Sequence, residues 1–143
     1  MNPRDFLQIA NDLLRSDNPA NSRTVFNRSY YAAYNVCVDL LKGAGFKIYE
    51  SAAGHGQVNN YLGNCGIRDL EEAQMKLANL MSQRIKADYR MHEPSVEKII
   101  NAKKALKTSE NIIQIFDSYV SNSEKKKMAK GINDYLKKIH SAS

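Results

Sequence analysis

The chain holds little that breaks a helix and nothing long enough to span a bilayer. Its 143 residues include only 3 prolines and 7 glycines, most of them between periodic segments. No apolar run approaches ~18 residues, which excludes a transmembrane helix. The opening stretch, MNPRDFLQIAND, lacks the apolar centre of a signal peptide, so the expectation is a cytoplasmic protein with no membrane partner. The 2 cysteines, Cys37 and Cys65, are not in a CxxC pair and have no nearby histidine; they read as reduced, buried thiols. No His, Cys, Asp and Glu cluster has zinc spacing, and no Ser-His-Asp arrangement can be built. AGHGQ, around His55, reads as loop punctuation, far too short for a phosphate loop and without a GK[ST] ending. No metal and no cofactor is expected.

Strand alternation is also absent; the patterns are helical. Asn2-Pro3 is a start signal, and Phe6, Ile9, Ala10, Leu13 and Leu14 follow at helical spacing. A second start lies at Asn18-Pro19 or nearer Asn21 and Ser22. Its stripe runs through Val25, Phe26, Tyr30, Ala33, Cys37, Leu40 and Leu41 to a stop at KGAG. Residues 46–68 are the least regular, with a short helix around 55–63. A long helix follows from Asp69 to about Met91, its first turn acidic as the helix dipole favours. Glu93-Pro94 breaks it, and Ser95 is placed to cap the next helix. A last helix covers 123–139. With 43% hydrophobic residues, the chain reads as an all-α, up-and-down bundle of four long helices plus short ones. The bundle is assigned to 1–120, and a basic C-terminal helix or tail to 121–143.

Net charge is +6, unevenly placed. The last 23 residues carry six lysines, among them Lys125, Lys126 and Lys127, against Glu124 and Asp134. Such a segment suits nucleic-acid phosphates or an acidic partner, and is equally what a solvated helix end looks like.

More pointed is RIKADYRMHEP, 84–94. The stripe of Leu77, Leu80 and Met81 continues through Arg84 and Asp88, charges on a face meant for burial. A charge there must be paired or face a cleft, because burying it alone costs several kcal/mol. Arg84 and Asp88 are four apart and can reach each other. A polar line on the second helix, Arg28, Tyr31 or Ala32, Asn35 and Asp39, offers further partners; Arg28 and Asn35 could meet Arg84, Asp88 and Tyr89. Two readings stay open: a buried network that fixes helix register, or a functional cleft. Tyr30, Tyr31 and Tyr34 are read as core packing before base stacking.

RSYYAAYNVCVDLL (28–41), RIKADY (84–89) and then a breaker and EPSVEKI resemble the HEPN domain family, the higher eukaryotes and prokaryotes nucleotide-binding domains. The resemblance covers roughly residues 1–119. It implies an up-and-down helical bundle, often a homodimer, with the charged face at a cleft. Many HEPN proteins are metal-independent ribonucleases of toxin–antitoxin, phage-defence and CRISPR systems. They use an arginine, a spacer of four to six residues and a histidine. The histidine moves protons near neutral pH, and the arginine steadies phosphorane charge. Here Arg84 is followed by His92 with seven residues between, and the position after Arg28 holds Asn35. The motif is stretched, about two helical turns on nearly one face.

The resemblance therefore implies an RNA- or nucleotide-binding protein. In its catalytic form Arg84 and Arg28 hold phosphate, Asp88 and Asn35 orient them, and His92 carries the proton, with Tyr89 and Lys125–Lys127 as added RNA contacts. The alternative is a non-catalytic interaction module that partners a nucleotidyltransferase or another protein. An antitoxin is a further expected partner of the toxin form.

Overall fold

Asn18 opens the longest helix. Its Oδ1 accepts the Ala20 and Asn21 backbone N–H groups at 2.8 and 3.3 Å, and Pro19 follows where no N–H is needed. Of the two starts weighed from sequence, the first is used. In a computed structural model describing residues 1–142, the helices are α1 (Asp5–Leu13), α2 (Pro19–Gly43), α3 (Ala53–Gly63), α4 (Arg68–Tyr89), α5 (Ile99–Asp117) and α6 (Asn122–Ala142), with a 3-10 turn at Pro94–Glu97. The described residues contain no strand, so the all-α expectation holds. No helix among them is long and apolar enough to cross a membrane.

Several boundaries shift. The α1 start signal works as an Asx cap, with the Arg4 N–H on Asn2 Oδ1 at 3.0 Å, but regular helix begins at Asp5. α3 starts two residues before the expected 55–63, so AGHGQ, with His55, is helical rather than loop. α4 ends at Tyr89 rather than near Met91, because Glu93, ahead of Pro94, is held extended. Ser95 caps no helix: its hydroxyl donates to the Glu93 carboxylate at 2.7 Å, and a 3-10 turn intervenes before α5. KGAG does end α2, through a Schellman motif. Gly45 takes φ +98°, the Phe46 N–H returns to Leu41 O and the Gly45 N–H to Lys42 O, each at 3.0 Å.

The chain divides into two compact units, with boundaries inside α2, α4 and α5. Unit 1 comprises Met1–Val36 and Lys76–Ile113. Its buried side chains include Phe26, Tyr30, Leu77 and Leu80, from the stripes read in the sequence, and Ile112 of α5. A buried bond ties α2 to α5, the Ser109 hydroxyl donating to Ser29 O at 2.6 Å. Unit 2 comprises Cys37–Met75 and Gln114–Ser143. It buries Leu41, Val58, Leu62, Leu70, Phe116 and, from α6, Met128 and Ile132. Each such side chain contributes roughly 1.5–3 kcal/mol when fully removed from water. α6 thus has an apolar face packed into unit 2, and Gly131 lets that face approach closely: a Cβ there would overlap the Cys65 carbonyl.

Candidate functional site

Within unit 1 the start of α2 runs against the end of α4, antiparallel, and the charges on α4's inner face find partners there. Arg84 is only 8% exposed. One terminal nitrogen of its guanidinium lies 3.4 Å from Asp88 Oδ2, and the group sits over the rings of Tyr30 and Tyr31, 5.6 and 5.4 Å from their centroids. Asp88 Oδ2 also accepts from the Asn27 side-chain amide at 3.1 Å. The Arg84 Nε has no hydrogen-bond partner. An orphaned buried donor costs roughly 1–3 kcal/mol, while each ring contact of a desolvated cation returns up to about 2. The tyrosines of α2 therefore form the bed of a buried cation. Tyr30 and Tyr34 are core side chains and Tyr31 is half-buried.

Sequence reasoning missed the most heavily engaged residue of the region. Arg23, one turn before Asn27, spreads its guanidinium over the end of α4. It donates to Ala87 O at 2.9 Å, Lys86 O at 3.3 Å, Arg90 O at 3.1 Å, Met91 O at 3.0 Å and Glu93 O at 3.3 Å. Its Nε and one terminal nitrogen reach Glu97 Oε2 at 2.8 and 2.7 Å. The last carbonyls of a helix lack intrahelical donors and carry the negative end of its dipole, so a cation fits there. No periodic signal marks it: Arg23 lies off the polar line of Arg28, Asn35 and Asp39, and its partner Glu97 is 74 residues away in the chain.

The other expected site residues divide. Arg28, half-buried, lies over the Phe6 ring at 5.1 Å, and its guanidinium donates to Asn27 Oδ1 at 3.2 Å. With Ala20, Arg23, Thr24, Asn27, Ala87 and Asp88 it lines a groove of about 420 Å³. Asn35 turns back on its own helix, its amide donating to Tyr31 O at 2.8 Å. Tyr89 is 73% exposed at the last position of α4. His92 is exposed in the turn after that helix, beyond the register that would align it with Arg84. Lys125, half-buried, and Lys126 and Lys127, exposed, belong to α6 in unit 2.

Among its described residues, unit 2 pairs the buried Tyr119 with the exposed Asp69. The Tyr119 hydroxyl donates to Asp69 Oδ1 at 2.6 Å; burial, with that carboxylate, raises its pKa well above the ordinary phenol value. Cys37 and Cys65 are buried, and burial pushes both thiols up, so neither is a ready nucleophile. Among the described residues no group of three or more His, Cys, Asp or Glu is placed to hold a metal ion. Comparison with protein-family models finds no match, and comparisons with curated proteins and with solved structures find none either.

Proposed function

We propose that the protein is a HEPN-type RNA-binding protein, a bundle that works as a homodimer, with the α2–α4 groove as its phosphate site. The observation that carries this reading is the groove itself, lined by Arg28, Asn27, Thr24 and Asp88. Arg28 offers donors to a phosphate oxygen, while the amide and hydroxyl suit ribose. Arg84 lies behind Asp88 and holds it, which makes Arg84 a positioning residue rather than a direct contact. In the catalytic form of this reading, a metal-independent endoribonuclease toxin or phage-defence effector, His92 takes the proton from the 2′-hydroxyl as that oxygen attacks the adjacent phosphorus; the P–O5′ bond breaks, leaving a 2′,3′-cyclic phosphate, and the departing 5′-oxygen is protonated from water. Its exposed turn is anchored by the bonds of Arg23 to Arg90 O, Met91 O and Glu93 O.

The test is cleavage of a mixed RNA pool in excess EDTA, alongside RNA binding. Arg28→Ala is expected to weaken binding at least ~10-fold while the protein stays folded. His92→Ala is expected to reduce cleavage at least ~100-fold, the usual scale for losing general acid–base help. Binding untouched by Arg28→Ala overturns the groove, and cleavage untouched by His92→Ala removes that histidine from the chemistry.

One observation favours a second reading. The Asn27–Asp88–Arg84 chain is satisfied largely within the protein and buries its arginine, as a network that fixes helix register does. In that reading the chain is a non-catalytic module that partners a nucleotidyltransferase or another protein. Wild-type protein that neither cleaves nor binds RNA, while Arg84→Ala unfolds, would establish it.

A further inference from the structure

A second groove in unit 1, of about 400 Å³, lies between the end of α1 and α5. Leu14 and Leu106 give it an apolar floor, and Arg15, Lys103 and Lys107 stand around them with Glu110. The arrangement follows from helical spacing: Lys103, Leu106, Lys107 and Glu110 recur three and four apart on α5. Three cations against two carboxylates, Glu110 and the Asp12 beside Arg15, leave the groove positive. Two of the three are loosely held. Arg15 meets Asp12 at 3.4 Å and Lys107 meets Glu110 at 3.9 Å, all four side chains being largely exposed. Such pairs contribute little and exchange readily for a better anion.

We propose that this groove docks an acidic peptide segment of a partner protein, with one aliphatic side chain on Leu14 and Leu106 and carboxylates on Arg15, Lys103 and Lys107. Charge complementarity selects an acidic occupant. The floor selects a peptide over a nucleic acid, because no aromatic ring lines the groove to stack a base. Its size suits a side chain with its flanking backbone. The groove shares no residue with the α2–α4 groove, so this inference goes beyond the RNA-binding reading and stands without it.

The experiment is selection from a random peptide display library on the full chain, repeated on the double variant Lys103→Glu, Lys107→Glu. Both lysines are exposed, and circular dichroism checks that the variant is folded. Peptides with an aliphatic residue flanked by Asp or Glu should be enriched on the wild type. They should bind the double variant at least ~10-fold more weakly by fluorescence polarisation, and should shift the Leu14 and Leu106 methyl resonances. No enrichment over empty support, enrichment without that pattern, or equal binding to the variant overturns the proposal. A uridine 12-mer that shifts the same methyls and displaces the peptide also overturns it, and assigns the groove to nucleic acid.

Discussion

A single guanidinium, that of Arg23, closes the C-terminal end of a 22-residue helix and ties it to the 3-10 turn beyond. The Arg23 side chain is 11% exposed and that of Glu97 34%, so the pair is partly desolvated. Arg23→Ala should cost about 3 kcal/mol, the lower end of the range for breaking a buried pair, because Glu97 keeps access to water. Urea unfolding measures it. Arg23→Lys should recover less than half, since an ammonium cannot fork across several carbonyls. Nearby, the Ser95 hydroxyl holds the Glu93 carboxyl below its ordinary pKa. A depressed carboxyl contributes stability that is present above its unfolded pKa and lost as pH falls through the folded one. Ser95→Ala should therefore move Glu93 back up toward the ordinary carboxylate value, read from its side-chain carbonyl shift in an NMR titration.

At the scale of elements, two helical glycines make opposite predictions. Gly56, exposed in α3, has nothing within 4 Å of a built Cβ. Gly56→Ala should stabilise the protein by roughly 0.5–1 kcal/mol through helix propensity. Gly131 in α6 earns no such gain, because its Cβ would meet the Cys65 backbone carbonyl, which cannot rotate away. Gly131→Ala should destabilise by about 1–3 kcal/mol, the overpacking cost exceeding the propensity gain. Thermal unfolding checks both signs, and hydrogen exchange should show the Gly131 variant losing protection along α6. The basic segment at 121–143 is a helix through Ala142, with a buried face of Met128 and Ile132.

At the scale of the whole molecule the net charge of +6 makes association with polyanions depend on salt. Under the proposed RNA binding, replacing Lys125, Lys126 and Lys127 by alanine should weaken affinity alike for all sequences. If all three touch phosphate, the slope of log affinity against log salt should shrink by roughly 2 for single-stranded RNA, about 0.7 per contact. An unchanged slope in a salt titration would show that none of these lysines touches phosphate.

The sequence by itself determined the helical class, the main stripes and the α2 stop, because 3.6-residue periodicity, Asn-Pro starts and a Gly-containing stop are local chemistry. It also singled out Arg84 and Asp88, since charges at stripe positions are visible without a structure. It could not tell whether His92 continues the helix or leaves it, because that turns on where α4 stops. Arg23, 74 residues before its partner Glu97, helps hold that end, and a bond across such a separation leaves no periodic mark. The tertiary structure alone decided that Arg84 rests on tyrosines, that Arg23 spreads over the end of α4, and that Ser109 bonds Ser29 O across α2 and α5. Local propensity chooses the elements; which side chain meets which carbonyl is set by packing between segments distant in the chain.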